Sequence, residues 1–408
     1  MKVLLANKFF FLRGGAETSF LGTAQVLKER GHEVMFFSMG HPRNTETPFS
    51  KYFVSRVDFE NPEGFSEKAK AAGRLLYSFE ARRKLKGLLE KEKPDIAHLH
   101  NIYHQISPSI LQLLKEYDVP VVMTLHDYKV VCPVYTLRRN DRICEKCAEG
   151  RYWHCTFSRC CKDSFLKSFL NTLEMFFHHR FLNIYGWVDV FISPSMFLKE
   201  KIYELGFNGK VVYLPNFVDL NEFSPQYGQE ENGIAYFGRL SEEKGIFTLL
   251  SAVTGLKVKC KIYGDGPLRE DLARKIREEG ISNVSLMGHM PQQKLKTNIR
   301  KTKFVIIPSE WYENNPLSVL ETFALGKPVI GARIGGLPEL IKDHRTGLTF
   351  EKGNIEDLRA KISYLLDNPH RITEMGRNAR RLVEKNFGSQ VYYREIMKIY
   401  EIATPKQF

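Results

Sequence analysis

The fold class this sequence predicts is α/β: two consecutive doubly wound parallel-sheet domains. Three observations predict it. Short apolar runs without alternation recur along the chain, as expected of strands buried on both faces of a parallel sheet. Charged segments with helical periodicity stand between them. The chain has 408 residues, 43% of them hydrophobic, which exceeds one ordinary core and suits domains of about 150 residues or more.

Taken in order, KVLLA at residues 2–6 is the first buried strand, and a loop with Gly14 and Gly15 follows. TSFLGTAQVLKERG is a helix closed by Gly31, and EVMFFSM is the next strand, completing a strand-helix-strand unit. PDIAHLH, VPVVMTLHD and VDVFISPS continue the series, each ending in polar or small residues where loops carry function. The stretch LPNFVDLNEFSPQYGQEENG has weak periodicity and two prolines, and reads as an interdomain linker. A second series then runs through GIAYFGRL, KVKCKIYGDGP, NVSLMGH, KFVIIPS and KPVIGA, alternating with helices such as LREDLARKIREEG. The expected division is a domain over 1–215, with a cysteine-rich insert at about 132–161, and a second over 216–388. No repeat of solenoid length is found.

The formal charge of +13 attracts anions such as nucleotide phosphates, anionic lipid or nucleic acid, although solubility alone also accounts for it. The first apolar run stops at Asn7 and Lys8, too short for a signal-peptide core, and no window of eighteen uncharged apolar residues occurs. The chain is therefore expected in the cytoplasm. Its seven cysteines would there be thiols or metal ligands rather than disulfides.

The stretch ENNPLSVLE, residues 313–321, places Glu313 before a helix start and Glu321 two turns into it. Pro316 suits the first turn, Asn315 is the expected cap, and the amides of Leu317 and Ser318 point outward at the positive end of the helix dipole. Backbone donors beside two carboxylate acceptors suit a polyol that carries a phosphate. A capped surface helix with solvated glutamates is the plain alternative, and the position after the strand KFVIIPS weighs against it. In YFGRLSEEKG, Arg239 and Lys244 follow the first strand of the second series, and such a cation pair can hold two phosphates.

Two further features are less decided. His126 and Asp127 follow the strand in VVMTLHDYKV, and a lone His-Asp pair is more often structural. Cys144 and Cys147 form a close pair, followed by Cys155, Cys160 and Cys161, with Cys132 upstream. Four thiolates from Cys144, Cys147, Cys155 and Cys160 suit a structural zinc, with Cys132 as substitute; reduced thiols are the alternative. The helical stretch FLKSFLNTLEMFFHHRFL is rich in phenylalanine and ends in a basic tip; with the basic segment SEKAKAAGRLLYSFEARRKLKG it could rest on an anionic membrane or form core.

SEWYENNPLSVLETFALGKPVIGARIGGLPELI resembles the donor-site signature of retaining family 4 glycosyltransferases, in which two Rossmann-like domains face a cleft in the GT-B architecture. RGGAE at 13–17 is similar to their N-terminal glycine loop, and the likeness runs to about residue 385; a subset of the family looks similar in the cysteine insert. The resemblance implies transfer of a sugar from a nucleotide diphosphate sugar to a glycan or lipid-linked acceptor hydroxyl, with retained configuration and no cofactor. It implies that Glu321 binds the ribose and Glu313 a sugar hydroxyl, helped by the backbone from Asn315 to Leu317. Arg239 and Lys244 would take the diphosphate, with Gly14 and Gly15 approaching it. His126 would face the anomeric centre with its carbonyl, and the helix over 389–408 would return to the first domain. The chain has no Asp-x-Asp triplet, the metal-binding feature of the other major transferase fold, so a catalytic metal is not expected. Rival readings are a nucleotide-sugar epimerase, a sugar phosphorylase and, outside this class, a zinc-containing nucleic-acid-binding protein. Nucleic acid is not the expected partner, because the basic residues are spread along the chain without a binding motif.

Overall fold

The computed structural model describes residues 1–59, 64–140, 142–228 and 231–404. The last four positions of the tail helix expected over 389–408 lie outside the described residues. The chain divides into two compact units, one of Met1–Leu214 with the segment from Tyr393, the other of Pro215–Tyr392.

The first unit is built on a six-stranded sheet. Its strands are β1 (Lys2–Ala6), β2 (Glu33–Phe37), β3 (Ile96–Leu99) and β4 (Val121–Thr124). A two-stranded antiparallel ribbon, β5 (Arg138–Arg139) and β6 (Arg142–Ile143), precedes β7 (Val190–Ser193) and β8 (Val211–Tyr213). The spatial order is β2-β1-β3-β4-β7-β8, and every neighbouring pair is parallel. Val3, Leu4 and Leu5 are completely buried, as a strand covered by helices on both faces requires.

The second unit repeats the plan with β9 (Gly233–Phe237), β10 (Lys259–Tyr263), β11 (Val284–Gly288), β12 (Val305–Ile307), β13 (Val329–Ala332) and β14 (Gly347–Phe350). Its order is β11-β10-β9-β12-β13-β14, again all parallel. The chain leaves β9 toward one edge of the sheet and later resumes on its other side at β12. This switch point between β9 and β12 is the position at which open parallel sheets hold their ligands. In the first unit the corresponding switch lies between β1 and β3.

Two sequence expectations change. The proposed linker is part of the second unit: Phe217, Val218 and Phe223 are buried, Val218 N–H donates to Phe387 O at 2.9 Å, and Phe217 stacks on Tyr392 at 4.1 Å. Its apolar residues lack a period because they pack singly. The edge strand β8 and the strand β14 went unread, since three- and four-residue runs carry little periodicity.

Candidate active site

The second unit builds its candidate site from two loops at the switch point. After β9 the chain passes Arg239, which is exposed, and turns through Glu242–Lys244 into a helix, Ile246–Val253. The turn closes on Gly245 at φ +65, where a Cβ would lie 2.0 Å from Pro308 O, so only glycine lets this loop approach the end of β12. Three hydrogen bonds strap the loops together. Glu310 N–H donates to Glu243 O (2.9 Å), Thr248 Oγ donates to Glu310 Oε1 (2.6 Å), and Lys244 Nζ donates to Glu313 Oε1 (2.5 Å).

Glu313 is buried and also accepts from Ser309 Oγ at 2.6 Å. Burial alone would raise its carboxyl; the Lys244 ammonium and these hydrogen bonds outweigh that and hold it below the usual range. The ammonium lies 5.1 Å from the centre of the Trp311 ring. Gly336 N–H donates to Glu313 O at 2.7 Å, so the GG of RIGGLPELI supports this backbone.

The helix predicted from Pro316 begins at Leu317 and runs to Ala324. Asn315 does not cap it. Its Oδ1 instead accepts from Asn216 N–H (3.1 Å) and its carbonyl from Asn216 Nδ2 (2.8 Å), because the packed segment after β8 supplies a competing donor pair. Glu321, half-buried on this helix, is not drawn to Lys244. Burial pushes its carboxyl up to about 7, with Lys296 opposing and Glu222 adding to the rise. Lys296 is already paired with Glu222 at 2.6 Å.

In the first unit Gly14 precedes the helix Gly15–Lys28 in an extended conformation, and its carbonyl accepts Thr18 N–H at 3.1 Å. His126 follows β4. Its Nε2 is 2.8 Å from His100 Nδ1, and the two rings stack at 5.1 Å. His98 stacks on His100 at 4.6 Å and binds Tyr400 OH (2.9 Å) and Thr124 Oγ (2.7 Å). Burial, then the charge of Lys8, lowers His126 to about 4; burial takes His98 to about 3. Asp127 accepts from Tyr103 OH (2.6 Å) and Lys129 N–H (3.0 Å), which orients the loop. Lys129 Nζ in turn meets the fully buried Glu174 at 2.6 Å, tying the helix Phe165–Phe176 to the loop after β4.

Sequence reading missed His98, His100, Ser309 and Glu310. The repeat in HLH, with alternate residues on one face of a strand, was the signal for the histidines.

The zinc expectation is not met: among the described residues no group of three or more His, Cys, Asp or Glu stands close enough to hold a metal ion. Cys155 and Cys160 instead share a thiol hydrogen bond that lowers Cys160 to about 7, whereas burial raises Cys132 to about 11 and Cys147 to about 12. Among the described residues no helix is long and apolar enough to cross a membrane.

Two doubly wound parallel-sheet units in one chain define the GT-B class of glycosyltransferase fold. Residues 13–222 match the model of Glycosyltransferase Family 4, and residues 219–382 that of Glycosyl transferases group 1. The chain belongs to Glycosyltransferase Family 4 and is a glycosyltransferase. It is similar to an uncharacterized glycosyltransferase of Methanocaldococcus jannaschii, 25% identical over 401 residues, 98% of each chain. In fold it resembles sucrose-phosphate synthase from Thermosynechococcus elongatus, with TM-score 0.74, 17% identity and 98% of each chain covered. Anabaena HepE in complex with UDP and glucose also shares the fold, at TM-score 0.70 and 15% identity over 98% of this chain and 99% of that one. The epimerase, phosphorylase and nucleic-acid-binding readings gain no support from these likenesses.

Proposed function

We propose that the chain transfers a hexosyl group from a nucleotide diphosphate sugar to an acceptor hydroxyl, with retention of the anomeric configuration. The observation that carries this reading is the Lys244–Glu313 pair of 2.5 Å at the switch point of the second sheet, in a chain of this family. In this reading residues 216–388 bind the donor, residues 1–215 face the acceptor, and the helix from 389 returns to the first domain.

The division of roles follows from charge. An ammonium has three N–H donors, so Lys244 can keep Glu313 and still engage phosphate oxygens, while the exposed Arg239 offers a fork to the same diphosphate. Glu313 accepts from a sugar hydroxyl, Glu321 from the ribose, and the backbone of Asn315, Pro316 and Leu317 lines the sugar. The bond between the anomeric carbon and the diphosphate oxygen breaks, the acceptor oxygen bonds to that carbon from the same face, and the acceptor proton passes to the departing phosphate. Charge grows on the diphosphate in the transition state, so the pre-placed cations act most strongly there. The family resemblance assigns the Gly14–Gly15 backbone to the diphosphate and the carbonyl of His126 to the positive charge on the sugar.

Lys244→Ala and Glu321→Ala test the donor site. Wild-type rates of transfer and donor hydrolysis in both variants, with folding intact, would show that the assignment is wrong.

A separate observation favours contact with an anionic membrane at the cytoplasmic face, where a lipid-linked acceptor would sit. Phe165, Leu166, Phe169 and Leu173 project from one helix and are between 40% and 66% exposed, with Arg159, Lys162 and Lys167 exposed beside them. An apolar face with a basic rim suits a lipid interface. Sedimentation with anionic liposomes at physiological salt, abolished by Phe165→Ser with Phe169→Ser, is the expected result; no sedimentation of the wild type ends this reading.

A further inference from the structure

Gly238, Arg239 and Leu240 follow β9 and carry the exposed cation of the candidate site, and the middle residue is held differently from its neighbours. Gly238 N–H donates to Tyr263 O at 3.0 Å, and Leu240 N–H donates to Asp265 O at 2.9 Å. Both acceptors belong to the end of β10 and the loop after it. Leu240 O accepts in turn from Leu268 N–H at 3.0 Å. These contacts join main chain to main chain, so they do not depend on which side chains stand there. The Arg239 carbonyl is held by a side chain instead: it accepts from Tyr236 Oη at 2.9 Å.

Tyr236 is the fourth residue of β9 and is 2% exposed. Its hydroxyl fills space that Gly238 leaves open, because at φ +156 a Cβ on residue 238 would lie 2.8 Å from the hydroxyl oxygen. Burial first, then the charges of Glu313 and Glu243, push the phenol well above its usual range, so the hydroxyl keeps the proton it donates. An arginine side chain has many rotamers of its own. Fixing the peptide from which it grows removes backbone freedom that would otherwise be lost on binding, and so keeps its two-pronged fork near one direction.

We propose that Tyr236 is a positioning residue of the transferase, whose hydroxyl fixes the Arg239 peptide and thereby aims the guanidinium at the donor diphosphate. The proposal rests on the donor-clamp reading above and adds to it a residue that acts through the arginine. Tyr236, Gly238 and Arg239 then form one unit, in which the glycine admits the hydroxyl that holds the arginine.

The test is a double-mutant cycle on the binding of inorganic pyrophosphate, read by calorimetry. It uses the wild type, Tyr236→Phe, Arg239→Ala and the double variant, with Lys244→Ala as a reference. Phenylalanine keeps the buried ring and removes only the hydroxyl. Tyr236→Phe should raise the pyrophosphate Kd about three- to ten-fold, the range that one neutral hydrogen bond covers. The same substitution should change Kd less than about two-fold when residue 239 is already alanine. A residue that merely stabilised the sheet would cost the same factor in both backgrounds, and that outcome overturns the inference, as does an unchanged Kd in Tyr236→Phe. Urea midpoints check that each chain is folded. Gly238→Ala, whose methyl group displaces the hydroxyl, replaces Tyr236→Phe should that variant misfold, with the same loss expected beside Arg239 and none beside Arg239→Ala. If Arg239→Ala and Lys244→Ala weaken pyrophosphate and Tyr236→Phe does not, the donor clamp stands and this inference alone falls. If neither cation substitution weakens it, the donor-site reading falls and the inference with it.

Discussion

His100 Nδ1 lies 2.8 Å from His126 Nε2, and the other ring nitrogen of His100 is buried without a partner. A buried orphan acceptor costs less than a buried orphan N–H. With its proton on Nδ1, His100 donates to His126 Nε2, and His126 then carries its own proton on Nδ1. His100→Ala removes the group that orients the His126 ring and loop, and should lower the turnover rate about ten- to a hundred-fold with little change in donor affinity. His100→Gln, which can still donate, should recover part of that loss. Turnover and donor KM measured separately for both variants check this.

The same histidines set an acid limit on stability. Their folded values, about 4 for His126 and about 3 for His98, lie below the ordinary 6.5, so the unfolded chain binds more protons across that interval. Stability should fall as pH drops from 6.5 toward 4 and be unaffected by these groups above 7. Urea midpoints of the wild type and His98→Gln across this range measure it; the variant should show the shallower decline.

Lys244→Ala leaves Glu313 buried beside Ser309 with no cation, and losing one partner of a buried pair costs about 3 kcal/mol. Because Lys244 is 23% exposed, about 2 kcal/mol is the better expectation. Glu313→Gln in the same chain should restore most of the stability while activity stays low. Denaturant unfolding of the single and double variants, beside their rates, separates the two effects.

Glu321, held at about 7 by burial first, should make donor affinity depend on pH near neutrality. Ribose hydroxyls donate to a carboxylate, so affinity should rise as pH rises through about 7. Stability runs the other way, since the folded chain keeps this proton between 4.5 and about 7. Glu321→Gln should weaken binding and flatten both profiles, as donor titrations from pH 6 to pH 8 would register.

Lys129 and Glu174 form a buried ion pair, 1% and 0% exposed, with Glu174 at about 2 because Lys129 and His104 outweigh its burial. Glu174→Ala should cost about 3–5 kcal/mol by leaving the ammonium uncompensated. Lys129→Met with Glu174→Leu should be far less damaging. Thermal unfolding of the single and double variants gives the comparison.

Much of this was legible in the chain itself. Parallel strands buried on both faces must be nearly continuous apolar runs, so β1, β3, β4, β9 and β12 announce themselves without any knowledge of their neighbours. Proline at 316 marks a helix start for a local reason, Lys244 and Glu313 stood out as charge after strands, and Glu321 as a second carboxylate on the helix that follows.

What the chain could not declare is which distant groups touch. That Lys244 takes Glu313 and not Glu321, that Asn315 serves Asn216 rather than a helix end, and that Tyr400 reaches His98 across 302 residues depend on strand order. The thiols show the same limit: their spacing suits a metal, but side-chain direction decides whether they can hold one, and among the described residues no group of three or more His, Cys, Asp or Glu does. Local sequence determines what each segment can be, because propensity and burial act over a few residues. Tertiary packing decides partners, because a hydrogen bond or ion pair is a matter of ångströms between residues that the chain holds far apart.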